Sequence, residues 1–223
     1  MSWLRRRLTP GEYFGLELTL GAALFVAAAW IFGELAEDVS RGEPITQVDA
    51  RIAQWFHVHA TGGVTRAMSG LSWFHTWPIG VIAIGFLLYL LARREWLWAI
   101  FGLCAVLGGI GLNMLLKLVF HRARPTLSGL SYALQTYSFP SGHTLAATVL
   151  YGVFAAYAIR SFASHRAKIG VALGAAAIVA LVAFSRLYLG VHYLTDVLAA
   201  FVEGIAWLAL CYTAAHTFAA RRA

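Results

Sequence analysis

Hydrophobic positions gather into six apolar runs, at about 16–32, 78–91, 96–116, 143–159, 169–184 and 196–218, parted by short polar stretches. A helix needs roughly 20 residues, within about 17–25, to cross the hydrocarbon layer. Several runs sit at the low end, so their polar ends must extend into the interface. The second reaches spanning length only if it begins near Trp73. Backbone groups inside lipid have to be paired within their own segment, which makes helices the expected spans. The pattern therefore predicts an all-α polytopic membrane protein, a six-transmembrane-helix bundle forming a single membrane domain over residues 1–223. Arg5-Arg6-Arg7 and the small residues Ala27-Ala28-Ala29 outline a cleavable signal. The first run is long, however, and ends in Trp30-Ile31-Phe32, which predicts a retained anchor.

Basic residues orient the bundle. Arg5, Arg6, Arg7, Arg93, Arg94, Arg160, Arg166, Lys168, Arg221 and Arg222 are ten of the 17 Lys and Arg, and alternation of six runs puts all ten on one side. The positive-inside rule makes that side cytoplasmic, with both termini. The protein is then expected in the inner (plasma) membrane, with the segments 33–72, 117–142 and 185–195 facing the periplasm or outside. Within the first of these, Ile45, Val48, Ile52, Trp55 and Phe56 recur at helical spacing with Asp49, Arg51 and Gln54 between them. This predicts an amphipathic helix at the interface, a cap on the bundle or a guide for a lipid headgroup. Gly102, Gly108, Gly109 and Gly111 in the third run predict close helix packing.

Composition agrees: 60% of residues are hydrophobic and 12% charged, against about 25% charged in a soluble domain. The net charge of +7 is spread between apolar runs, so it argues for membrane orientation and against nucleic-acid binding. Cys104 and Cys211 are isolated in apolar runs, which predicts neither a disulfide framework nor a metal site. There is no internal repeat, and oligomeric state stays open.

Three polar clusters break the apolar pattern: Lys117 with Arg124-Pro125, then Pro140-Ser141-Gly142-His143, then Ser185-Arg186 with His192 and Asp196. The basic residues that orient the bundle include none of these, yet the resulting topology places all three clusters on the non-cytoplasmic side. Ionisable groups at membrane depth are costly, so such a cluster points to function. His192 and Asp196 are four apart and share a face on a helix. There the carboxylate fixes the tautomer and raises the basicity of an imidazole, leaving its other nitrogen as a nucleophile. Ser141 suits a helix N-cap, and the N–H groups after it suit an anion, with Gly142 permitting close approach. His143 is placed to give a proton to a departing oxygen. Lys117, Arg124 and Arg186 would be three uncompensated cations around one carboxylate, an array that an anion such as a phosphoryl group stabilises. His121 and Arg122 read as interface anchors, with no catalytic role.

The stretches KLVFHRARP, PSGH and SRLYLGVHYLTD together resemble the type 2 phosphatidic acid phosphatase (PAP2) family, whose soluble relatives include vanadium-dependent haloperoxidases. The resemblance covers most of the chain and implies a metal-independent lipid phosphatase. His192 is implied as the phosphohistidine-forming nucleophile, Asp196 as its orienter and His143 as the acid. Lys117, Arg124, Arg186, Ser141, Gly142 and Ser185 are implied as phosphate ligands. No cofactor or metal is expected. The expected substrate is a membrane lipid phosphate in the bilayer: undecaprenyl diphosphate first, then phosphatidylglycerol phosphate, phosphatidic acid or a lipid A phosphate. A phosphotransferase using the same phosphohistidine, or a transporter, are the alternatives.

Overall fold

The computed structural model describes residues 16–126 and 136–220. Arg5, Arg6, Arg7, Arg221 and Arg222, on which the expected orientation partly rests, lie outside them, as do residues 127–135. The described residues form eight helices: α1 Leu16–Arg41, α2 Pro44–His59, α3 Gly62–Phe74, α4 Pro78–Ala92, α5 Trp96–Phe120, α6 Gly142–Ile159, α7 His165–Tyr188 and α8 Leu194–Ala220. Six segments are long and apolar enough to cross a membrane: α1, α3 joined to α4, α5, α6, α7 and α8.

Two elements differ from the sequence expectation. Helix α1 runs on to Arg41, well past the apolar run, because Glu, Leu and Ala continue a helix whether or not they continue a span. The Glu37–Arg41 ion pair at i,i+4 supports that extension. The second span begins at Gly62, not near Trp73, and is interrupted at residues 75–77. Pro78 is the cause, since it has no N–H for the Phe74 carbonyl and its ring crowds that carbonyl. Around the break, Thr76 N–H bonds the Trp73 carbonyl at 3.1 Å, one residue short of helical register.

Helix α6 is the centre, packed on α5, α7 and α8, while α1 lies along α8 and α4 packs on α5 and reaches α6 through Phe86, whose ring meets Phe154 and Tyr157. Phe101, Ala105, Leu145, Val149, Val153 and Ala200 form the core where α5, α6 and α8 meet. Gly108 and Gly109 allow Trp207 of α8 to lie against α5, where its indole N–H bonds the Ala105 carbonyl at 3.0 Å. Gly102 faces Val153. Gly111 has open space beside it, so the expectation of close packing fails at that one glycine. Cys104 and Cys211 are free thiols.

An antiparallel succession puts the end of α5, the start of α6, the end of α7 and the start of α8 at one end of the bundle. Arg93, Arg94 and Arg160 lie at the other end, where Arg160 pairs with Glu95 and its guanidinium stacks on Tyr157.

Candidate active site

At the first of these ends the helices enclose a cavity of about 490 Å³ lined by Lys117, Arg124, Gly142, His143, Arg186 and His192, and closed on the far side by Ser69, Ser72, Trp73 and Thr76 of α3 and the kink. Six of the nine residues singled out from the sequence therefore reach one cavity. Ser141, Ser185 and Asp196 lie behind it, fully buried.

The three cations are held by neutral groups. Lys117 Nζ donates to the carbonyls of Tyr137, at 2.6 Å, and Ser138. Arg124 donates to the Thr136 and Val191 carbonyls, at 2.7 and 2.8 Å. Arg186 donates twice to Ser185 Oγ at 3.1 Å. Among the described residues, no carboxylate lies within ion-pairing distance of any of the three. Carbonyls orient a cation but leave its charge uncompensated, so the cavity is built for an anion. Ser185 Oγ donates its hydrogen to the Val182 carbonyl at 2.6 Å. Its hydroxyl thus supports Arg186 from behind the cavity.

His192 does not sit on a helix. It lies in the turn before α8, whose first residue is Leu194, so it reaches Asp196 through a capping turn and not along a helical face. Asp196, at the third position of α8, turns back to accept the Tyr193 N–H at 2.8 Å, half of a capping box. The same oxygen faces His192 Nδ1 at 3.4 Å. Arg124 Nη1 is 3.2 Å from His192 Nε2. A donor on one side and a carboxylate on the other assign the neutral imidazole with hydrogen on Nδ1 and the lone pair of Nε2 toward the cavity. Burial pushes the imidazole pKa down to about 4, outweighing the hydrogen bond and charge of Asp196, which act upward. The carboxylate therefore orients this histidine without making it more basic overall.

His143, second in α6, is turned by a residue that sequence reasoning missed. Its Nε2 lies 3.1 Å from Thr76 Oγ1, while Thr76 gives its own hydrogen to the Ser72 carbonyl at 2.9 Å. Thr76 is thus an acceptor toward the ring, which places hydrogen on His143 Nε2. Ser141 occupies the N-cap position but makes no capping hydrogen bond with its side chain. Its Oγ accepts from Thr144, and its N–H donates to the Asp196 carbonyl at 3.0 Å, tying the starts of α6 and α8 together. The N–H groups of Gly142 and His143, in the first turn of α6, have no acceptor within the helix and stand beside the cavity. A Cβ at Gly142 would meet Asn113 Oδ1 at 3.4 Å, so the close approach there is to α5.

Two more residues were missed. Asp49 is 1% exposed and not on the solvent face of α2. Arg122 is not an interface anchor, because its guanidinium bonds both Asp49 and Asp196. The only sequence sign of this was a basic residue two positions before Arg124, and nothing local distinguishes it from a snorkelling one. Among the described residues no group of three or more His, Cys, Asp and Glu gathers at metal-binding distance.

A polytopic helical bundle with an anion cavity at one end, two histidines and three cations that have no carboxylate partner among the described residues defines a membrane phosphatase. Comparison with known proteins agrees: the PAP2 superfamily pattern matches residues 95–219. The chain is 33% identical over 173 residues to phosphatidylglycerophosphatase B of Bacillus subtilis (strain 168), covering 74% of this chain and 79% of that one. It also superposes with a TM-score of 0.74 on the crystal structure of a transmembrane PAP2 type phosphatidylglycerolphosphate phosphatase from Bacillus subtilis. That match has 27% identity and covers 84% of this chain and 94% of the other. The chain belongs to the PAP2 superfamily and is a membrane lipid phosphatase.

Proposed function

We propose that the protein, as one domain, hydrolyses a lipid phosphomonoester or diphosphate through a phosphohistidine on His192. The observation that carries this is the placement of His192 and His143 on a cavity whose three cations have no carboxylate partner among the described residues. Lys117, Arg124, Arg186 and the N–H groups of Gly142 and His143 hold the phosphoryl oxygens. Preorganised charge of this kind supplies most of the catalysis of phosphoryl transfer.

His192 Nε2 attacks phosphorus, and the bond from phosphorus to the leaving oxygen breaks. The bound anion favours the imidazolium form of His143, which gives its proton to that oxygen. Water then attacks the phosphohistidine, His143 takes a proton from it, the N–P bond breaks and inorganic phosphate leaves. Asp196 holds the Nδ1 hydrogen throughout.

The cavity end is the extracytoplasmic one, because Arg93, Arg94, Arg160, Arg166 and Lys168 occupy the opposite end. The names of the Bacillus subtilis relatives put phosphatidylglycerol phosphate ahead of undecaprenyl diphosphate and phosphatidic acid as substrate. The test is phosphate release from these three lipids by purified protein in detergent with EDTA. Release unaffected by EDTA and abolished by His192→Ala is expected. Strict dependence on a divalent cation, or full release by His192→Ala, would overturn the mechanism. Phosphate moved to a second lipid with none released would make the protein a phosphotransferase.

A further inference from the structure

We propose that Asp49 and Arg122 are positioning residues for the nucleophile, a clamp that fixes Asp196 against His192 and makes helix α2 part of the catalytic apparatus. This rests on the reading of His192 as the phosphate acceptor.

Arg122 Nη1 donates to Asp196 Oδ1 at 2.6 Å and to Thr195 Oγ1 at 2.7 Å, and Nη2 donates to Asp49 Oδ2 at 2.7 Å. The guanidinium carbon lies 4.3 Å from the centroid of the Tyr193 ring, so the fork is held both in its plane and on its face. Asp49 is anchored in turn. Its Oδ1 takes the Thr195 N–H at 3.0 Å, and its Oδ2 takes the Thr195 hydroxyl. Thr195 is the second residue of α8, where no acceptor exists within the helix. Asp49 therefore caps α8 from a different helix. Asp196 has one oxygen on Arg122 and the other on the Tyr193 N–H and His192, so its carboxylate cannot rotate without breaking a bond on each side.

The charge balance explains why two acids share one base. A single guanidinium between two carboxylates leaves a net negative charge, and that charge faces the imidazole, which becomes cationic once Nε2 is phosphorylated. Without Asp49, Arg122 would cancel Asp196 alone. Without Arg122, two carboxylates would flank Thr195 with no cation between them. A plain structural cap needs only the Asp49–Thr195 bonds and has no use for the link to Asp196.

The test compares kcat and KM for phosphate release from dioctanoyl phosphatidic acid in detergent by Asp49→Asn, Arg122→Gln, Arg122→Lys, the Asp49→Asn/Arg122→Gln double variant and His192→Ala. Loss of an outer partner of this kind lowers activity by about 10–100-fold. That fall is expected in kcat for Asp49→Asn and Arg122→Gln, with KM within about threefold because the phosphate-binding cations are untouched. Arg122→Lys recovers part of the loss. The double variant is no worse than the weaker single one, because the pair acts as a unit. Wild-type kcat in Asp49→Asn and Arg122→Gln, with His192→Ala inactive, would overturn the clamp alone. So would a loss confined to KM, or failure of all the clamp variants to elute as folded protein, which would make the cluster purely structural. Activity in His192→Ala would overturn the underlying mechanism and the clamp with it.

Discussion

Replacing Asp196 by asparagine keeps its shape and removes one acceptor. Both of its oxygens face donors, Arg122 on one side and the Tyr193 N–H with His192 Nδ1 on the other. An amide has a single acceptor oxygen, so its NH2 must confront one of the two sets. The bond to a charged guanidinium is roughly twice as strong as a neutral one, so the oxygen stays with Arg122 and the NH2 turns to His192. Only an unprotonated Nδ1 can receive it, which moves the ring hydrogen to Nε2 and removes the lone pair from the cavity. In a serine-protease triad the same exchange costs on the order of 10⁴ in kcat by enforcing the wrong tautomer, about 5.5 kcal/mol. The Nδ1 contact here is long, at 3.4 Å, so a fall of about 10³–10⁴-fold is expected. KM should stay within about threefold, since this is a loss in the transition state and not in binding. Rapid quench with a ³²P-labelled lipid reports both turnover and acid-labile phosphoenzyme. A kcat within about tenfold of wild type, or an unchanged rate of phosphoenzyme formation, would refute the tautomer argument.

Further outcomes follow from the same structure. Burial keeps His192 neutral down to about pH 4, whereas an unfolded chain protonates it near 6.5. Its contribution to stability is then complete above about pH 6.5 and declines as pH falls toward 4, by up to roughly 3 kcal/mol, because only the unfolded chain takes up the proton in that window. Unfolding in detergent from pH 8 to 4 should show this extra loss in wild type and not in His192→Gln; parallel curves would refute it. Thr76→Val removes the acceptor that turns His143 and should lower kcat about tenfold, the worth of one hydrogen bond, with Thr76→Ser near wild type in the same phosphate assay. Phe139 is fully buried against Phe32 and Phe120, so Phe139→Ala should cost about 3–5 kcal/mol in an unfolding measurement.

The spans were legible because apolar length is a local property: each run of hydrophobic residues announces a helix without reference to any other. Their ends were less so. Polar residues stop a span but not a helix, which hid the extension of α1 to Arg41, and the break before Pro78 hid the first half of the second span, which lies outside the run at 78–91. The chemically distinctive residues are plain in the chain's order, and the alternation of spans was enough to bring Lys117, Arg124, Gly142, His143, Arg186 and His192 toward one end. Tertiary structure alone decided what each of them meets. Thr76, Asp49 and Arg122 come from segments 67, 146 and 74 residues away from the groups they hold, as Thr76–His143, Asp49–Thr195 and Arg122–Asp196. No local pattern marks such partners. A buried hydrogen bond depends on where two helices dock, and a carboxylate on an amphipathic helix looks the same in sequence whether it meets water or an arginine.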